Sequence, residues 1–197
     1  MNLRDQRIER STILLMPGEL TGLGPALTLQ NCRITCRTTA RELVLIDTEM
    51  QHCIFVAKKK ITGYKFLRAR FYDCALEGTY SGCDFGKRLE NYDNMGDVAR
   101  CDFTNARLDA CRFFNCSLDG MKFSTSATNI VLIHPNRTAF IGKSENLPVG
   151  LRIYLKVANN QPPDCTALVD EVELAAKRLR VSPKELLEFA SELGAKT

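Results

Sequence analysis

Between Cys101 and Phe123 the apolar positions of the chain recur every five residues. This period matches neither the 3.6 residues of a helical turn nor the two-residue alternation of a strand. In each group of five, the first and third places are apolar and the second is polar. The first-place residues are Cys101, Ala106, Cys111, Cys116 and Met121. The third-place residues are Phe103, Leu108, Phe113, Leu118 and Phe123. A fixed short period is typical of repeat architectures, in which stacked units bury their apolar faces against each other.

This stretch resembles the pentapeptide-repeat family, whose units have a small residue, a polar one, Leu or Phe, and two mostly polar residues. The resemblance implies a right-handed β-helix with four sides, in which both apolar columns point inwards. Cys stands at the first place more often than the family's usual Ala, and a buried Cys behaves as a small hydrophobe. A looser match precedes it, at Tyr64/Phe66, Ala69/Phe71, Cys74/Leu76 and, after a slip, Cys83/Phe85.

Weaker patterns surround these repeats. Degenerate coils are predicted from Ala26 onwards, because the apolar pairs Leu27/Leu29 and Cys32/Ile34 lie five residues apart. Residues 1–26, which carry the turn signals Pro–Gly and Gly–Pro, are predicted to be irregular. The segment from Leu151 to Val157 alternates between apolar and polar residues and predicts a last strand.

The C-terminal tail is predicted to be helical. One helix is expected from about Thr166 to Leu179. A second is expected from Pro183 to about Leu193, because Ser182 is a good N-cap with Glu185 three residues later. The predicted fold class is mainly β: a right-handed, pentapeptide-repeat-like β-helix with irregular ends and a C-terminal α-helical pair. Its predicted organisation is a β-helix-like domain over 1–158 with repeats over about 27–157, a linker over 159–164, and a helical hairpin over 165–197 packed on the β-helix.

Composition favours a globular cytoplasmic protein. The chain has 197 residues, of which 45% are apolar and 25% charged, and we expect neither a signal peptide nor a membrane span. Its nine Cys are an odd number, and five fall on the inward column, which favours reduced, buried thiols. Some pentapeptide-repeat proteins resemble DNA in shape and negative charge and bind topoisomerases. Residues 64–125 hold nine basic and nine acidic side chains, so these coils lack the negative electrostatic potential that mimicry of DNA needs.

Candidate catalytic and metal-binding groups are sparse. The two His are His52 and His134. A zinc set of Cys32, Cys36, His52 and Cys53 is disfavoured, since the spacing matches no known finger and adjacent residues of a strand point to opposite faces. No nucleophile-elbow, phosphate-loop, dinucleotide-binding or zinc-protease motif occurs. We therefore expect a non-enzyme that binds no cofactor and no metal.

The tail has a rival interpretation as a DNA-binding helix-turn-helix, because AAKRLRVSPKELLEFA resembles that motif. Arg180 stands where the motif usually has Gly. The helix that would read DNA carries Lys184 against Glu185, Glu188 and Glu192, which suits the phosphate-lined major groove poorly. Packing against the end of the β-helix is the preferred interpretation.

The segment 87–100, KRLENYDNMGDVAR, breaks the period and is predicted to loop out of the coil, where solenoids often bind partners. An exposed Tyr among charges is typical of interfaces, so the predicted partner-binding residues are Arg88, Glu90, Tyr92, Asp93 and Asp97. Together with the bacterial setting that the resemblance implies, this predicts an immunity protein that neutralises a cognate toxin, such as one secreted by a neighbouring cell, with no membrane or nucleic-acid partner. The alternatives are a DNA-binding regulator and a structural or adaptor β-helix.

Overall fold

The fold is a parallel β-solenoid of about five turns with three α-helices near the C-terminus. The computed structural model describes residues 2–18, 20–88, 95–124, 128–138 and 144–196. The predicted fold class, mainly β with stacked coils, is confirmed. Within the described residues, no helix is long and apolar enough to cross a lipid bilayer.

The regular elements follow each other closely along the chain. The strands are β1 (Asn2–Leu3), β2 (Gln6–Glu9), β3 (Thr12–Leu15), β4 (Thr21–Leu23), β5 (Leu27–Gln30), β6 (Arg33–Cys36), β7 (Leu43–Leu45), β8 (Thr48–Gln51), β9 (Ile54–Thr62), β10 (Lys65–Phe66), β11 (Ala69–Tyr72), β12 (Ala75–Ser81), β13 (Asp84–Gly86), β14 (Asp97–Ala99), β15 (Asp102–Phe103), β16 (Ala106–Asp109), β17 (Cys111–Phe114), β18 (Lys122–Phe123), β19 (Asn129–Ile133) and β20 (Cys165–Glu171). The α-helices are α1 (Val149–Asn159), α2 (Val172–Leu179) and α3 (Pro183–Glu192), and two short 3-10 helices span Pro135–Arg137 and Ser144–Asn146.

The walls of the solenoid are parallel sheets. One wall holds β2, β5, β8, β11 and β14, and the next holds β3, β6, β9, β12, β15 and β18. The third wall consists of β1, β4 and β7 in the N-terminal coils and of β10, β13 and β17 in the later coils. The fourth wall forms where β16 pairs with the second half of β12. Strands β1 to β4 are therefore already part of the coils, and the prediction that residues 1–26 are irregular is wrong.

Each regular coil contains 21 residues. Arg7 pairs with Thr28, Thr28 with Glu49, and Glu49 with Arg70, and each step spans 21 positions. The next step, from Arg70 to Asp97, spans 27 positions. The insertion in this coil thus amounts to six residues. The predicted loop over 87–100 is too long, because β14 returns to the wall.

Left-handed backbone conformations mark the corners. Asp5, Ala26 and Asp47, with φ values of 52, 51 and 45°, occupy one corner in successive coils. A second corner column has the same conformation at Arg10, Asn31, His52, Asp73 and Arg100. Asn and Asp tolerate this conformation better than other side chains, whereas Ala and Arg are strained in it.

Aromatic ladders fill the core of the later coils. Phe66, Phe85 and Phe113 stack with ring centroids 4.7 and 5.1 Å apart. Phe103 stacks on Phe123 at 5.7 Å and meets Phe113 edge-on at 5.3 Å. Phe103, Leu108 and Phe113 are fully buried, as predicted, while Leu118 is half-buried.

The thiols form a second inward column. Cys32, Cys53, Cys74 and Cys101 each donate an S–H bond to a carbonyl oxygen of the preceding coil, with sulfur–oxygen distances of 3.3 to 3.4 Å. All nine Cys are free and buried. Small side chains at this position let the chain turn without leaving a void, which explains the choice of Cys.

The C-terminal end of the solenoid is capped by two antiparallel strands. β20 pairs with β17 and with β19. Val131, Ala167 and Val169 face the solenoid core, whereas Ile130, Leu132 and Leu168 belong to a separate core formed with the helices. The cap is therefore buried on both faces. The predicted helix over 166–179 begins only at Val172, because the preceding residues are recruited into β20.

The helices pack on the outer face of this cap. Leu151, Tyr154 and Leu155 of α1 are buried there with Leu186 and Phe189 of α3. A strand was predicted from Leu151 to Val157, and this prediction is wrong because the segment is helical. The helix predicted to begin after Ser182 is confirmed, and it has a reciprocal capping box between Ser182 and Glu185.

Candidate functional site

The segment predicted to bind a partner is described only at its two ends. Arg88 approaches the Phe114 ring, with its guanidinium carbon 5.1 Å from the ring centroid. Asp97 starts β14 on the neighbouring wall and lies beside Tyr72, whose pKa is raised by burial and by the Asp97 carboxylate. Glu90, Tyr92 and Asp93 lie outside the described residues. Arg88 and Asp97 therefore flank one corner of the solenoid on adjacent walls.

The tail has the connectivity of a helix-turn-helix but an acidic outer surface. Arg180 takes the left-handed conformation between α2 and α3, with φ of 56°. The charged residues of α3 are all exposed and comprise Lys184, Glu185, Glu188 and Glu192. One positive and three negative side chains give this face a formal charge of −2. Such a face repels phosphates, so the arrangement does not favour DNA binding.

The two His and the thiols lie in different environments. His52 and His134 are exposed at turns, whereas the thiols are buried. Burial raises the pKa of both Cys116 and Cys165 to about 12, so these thiols stay protonated at neutral pH. In the described parts of the chain, no group of three or more His, Cys, Asp or Glu side chains is arranged to hold a metal ion.

An exposed apolar stripe on α1 is a surface that the sequence pattern did not reveal. Val149, Ile153 and Val157 are 62%, 50% and 44% exposed, although they are large hydrophobic residues. Positions four apart lie on one face of a helix, so the three side chains form a line of about 12 Å. We call these three residues the α1 face. Arg152 and Lys156 on the same helix are also exposed.

The α1 face is held firmly in position. A Cβ atom on Gly150 would lie 2.0 Å from the Leu179 carbonyl oxygen, so α1 approaches α2 as closely as only Gly allows. On its inner side α1 buries Leu151, Tyr154 and Leu155. Since a docked helix with a buried inner face loses little freedom on binding, its outer face is preorganised.

A cavity of about 290 Å³, which we call the α1 pocket, opens beside this face. Most of its lining is apolar, and the residues around it are Ala110, Ile153, Tyr154, Val157, Leu168, Asp170, Arg178 and Leu179. Ile153 and Val157 belong to both the α1 face and the pocket. Asp170 and Tyr154 are each only 1% exposed, so their polar atoms are buried in the wall of the cavity.

The polar groups of the α1 pocket are incompletely paired. Oδ1 of Asp170 accepts hydrogen bonds from the Ala110 amide at 2.8 Å and from Nη2 of Arg178 at 2.7 Å. Arg178 also pairs with Asp109. Oδ2 of Asp170 has no hydrogen bond of ordinary geometry among the described residues, and neither has the Tyr154 hydroxyl, although the Tyr154 hydroxyl lies close to the Asp170 carboxylate. Burial raises the pKa of Asp170, and burial together with the Asp170 carboxylate raises that of Tyr154.

Comparison with known proteins yields no relative from which a function could be transferred. No protein-family model matches the sequence. No match was found among curated proteins either. The surface and the pocket that the fold creates are therefore the features from which a function can be inferred.

Proposed function

We propose that this chain is a non-enzymatic, protein-binding β-solenoid, and that its best candidate role is that of a bacterial immunity protein which neutralises a cognate toxin by direct binding. The observation that carries the proposal is the α1 face. Three large apolar side chains lie in line on a rigid helix, and exposed apolar patches on folded proteins commonly mark contact sites.

A solenoid suits stoichiometric binding because its stacked coils form a rigid support. Rigid surfaces bind with a smaller entropic cost than surfaces that must become ordered. The α1 face and the corner between Arg88 and Asp97 are the two regions proposed to contact the partner. Tyr92 and Asp93, which lie between Arg88 and Asp97 in the sequence, are proposed to contribute as well.

Affinity capture with matched variants tests this proposal. The chain is immobilised and exposed to lysate of the native cell, and bound proteins are identified by mass spectrometry. Ile153→Asp tests the α1 face, and Tyr92→Ala combined with Asp93→Ala tests the corner. Leu20→Asp is the control, because Leu20 is 67% exposed and lies near the opposite end of the solenoid.

Support requires three results together. One protein is retained by the wild type and by Leu20→Asp, it is lost with a variant of the α1 face or the corner, and its expression arrests cells unless this chain is co-expressed. A partner that is harmless to cells would favour an adaptor role over immunity. Retention of the same partner by every variant would show that neither region is the contact.

A further inference from the structure

We propose that two copies of this chain associate end to end through the N-terminal edge of the solenoid, with the strands of the two first coils running antiparallel to each other. This inference goes beyond the proposed function, because the edge lies at the opposite end of the solenoid from the α1 face. The backbone, the apolar residues and the charges of β1, β2 and β3 each support it.

The three strands of the first coil each leave one edge unpaired. β1, β2 and β3 stand at the ends of their sheets, and among the described residues each pairs with one strand only. The amides of Gln6 and Arg10 donate to carbonyl oxygens of the second coil. Because alternate residues of a strand point their backbone groups the same way, those of Arg7 and Glu9 point to the open edge. Such an edge is a template for pairing with another chain.

A two-fold axis through Ile8 brings the apolar residues of this edge opposite one another. Leu3, Ile8 and Ile13 lie five residues apart on β1, β2 and β3, and they contribute to the first layer of the core. Ile13 is buried, whereas Leu3 and Ile8 are only half-buried. Around this axis Ile8 faces Ile8 of the second copy, and Leu3 faces Ile13. Association therefore removes apolar surface of the end of the solenoid from water.

The same axis pairs opposite charges across the edge. When Ile8 lies opposite its own copy in an antiparallel pair, Arg7 faces Glu9 of the second copy, and Glu9 faces Arg7. The Glu9 carbonyl accepts from the Ser11 hydroxyl at 2.9 Å, and its second lone pair is left for the Arg7 amide of the second copy. Within one chain, Nε of Arg7 donates to the Glu9 carboxylate at 2.6 Å, and both side chains are exposed. Two copies would join these ion pairs into a cluster of four alternating charges.

The neighbouring walls fit the same register. The carbonyls of Leu3, Ser11 and Leu15 accept hydrogen bonds from the second coil. The backbone groups of Arg4 and Thr12 therefore point to the open edge. The walls of β1 and β3 flank the wall of β2, so the two-fold axis exchanges them and places Thr12 opposite Arg4 of the second copy. Backbone pairing can thus extend over three walls at once.

The mass of the intact chain in solution tests the interface. Sedimentation equilibrium is measured over a range of concentrations up to the sub-millimolar. We expect twice the 22.1 kDa of one chain at the upper end of this range, because an interface built on a two-fold axis closes at two copies. The mass of a single chain throughout, or assemblies that grow beyond two copies, would overturn the inference.

Charge reversal locates the interface. Arg7 and Glu9 are exposed, so their substitution leaves folding intact. Arg7→Glu and Glu9→Arg each bring like charges together at two symmetric points, and each should raise the dissociation constant of the dimer at least about tenfold. The double variant restores opposite charges and should return this constant to within about threefold of the wild type.

Two further variants complete the test. Ile8→Asp should yield the monomer, because two carboxylates would meet on the two-fold axis. Arg152→Glu, at an exposed position of α1, is the control and should dimerise like the wild type. Dimers that persist in Ile8→Asp, or a double charge-reversal variant as weak as the single ones, would overturn the inference.

Discussion

Truncation of Phe113 tests whether the aromatic ladders stabilise the solenoid. Phe113 is fully buried, and its ring centroid lies 5.1, 5.3 and 5.5 Å from those of Phe85, Phe103 and Phe123. Buried Phe→Ala changes cost about 3–5 kcal/mol, and three aromatic contacts place this one in the upper half of that range. For a chain of this length, about 4 kcal/mol corresponds to a fall in Tm of about 8–16 °C.

The assay is equilibrium urea unfolding followed by circular dichroism, and Phe123→Ala is the matched control. Phe123 ends the ladder, is half-buried, and contacts Phe103 and Phe113. Its truncation should cost about 1–2 kcal/mol, because about half of the transfer free energy of a Phe is at stake. A loss below about 1 kcal/mol for Phe113→Ala, or equal losses for both variants, would refute the reasoning.

Three further changes probe other parts of the fold. Arg112→Ala should cost about 3–5 kcal/mol in urea unfolding, since it leaves the buried Asp84 without the guanidinium that binds both its oxygens, and Arg112→Lys should cost less. Burial raises the pKa values of Tyr64, Cys116 and Cys165 to about 12, so stability should fall as the pH rises from about 9 to about 12, and stability that rises with pH in that window would contradict this sign. Ala26→Gly should raise the free energy of unfolding by about 0.5–1 kcal/mol by relieving the left-handed corner, and a decrease would show that this corner is not strained.

The sequence predicts the coils well where the inward-facing side chains recur at a regular spacing. From Phe66 to Phe113 one inward place mostly holds small residues and the other mostly holds Leu or aromatic residues, and this regularity leaves a visible period. The first coil was missed because its turn signals, such as Gly24 and Pro25, dominate a segment with few repeats. The cis bond between these two residues lies within a corner of the solenoid.

The errors near the C-terminus have a common physical cause. In α1, the exposed Ile153 and Val157 interleave with the buried Leu151 and Leu155, so a helix shows the alternation of a strand. In β20, both faces are buried, so a strand lacks that alternation and its apolar residues merge with those of α2. The hydrophobic pattern of a sequence indicates which residues are buried. It gives the wrong secondary structure where an apolar residue stays exposed or where both faces of a strand are covered.

The α1 pocket is harder to predict than the coils, because it is assembled from distant segments of the chain. The α1 pocket combines Ala110 from the solenoid, Asp170 from the cap and Tyr154 from α1, which are far apart in sequence. The missing hydrogen bond of Asp170 is visible only once the surrounding chain is in place. In the sequence, Asp170 is one acidic residue beside another.

The antiparallel cap has a consequence for how the protein is made. Cys111 of β17 pairs with Val169 of β20, which is 58 residues further along the chain. At about 5–20 residues per second, the ribosome needs about 3–12 s to deliver β20 after β17 has emerged. During that interval the last wall has an open row of backbone donors and acceptors, which can recruit a strand from a neighbouring nascent chain. Codon usage and chaperone access across residues 115–164 should therefore influence yield more strongly than changes within the coils themselves.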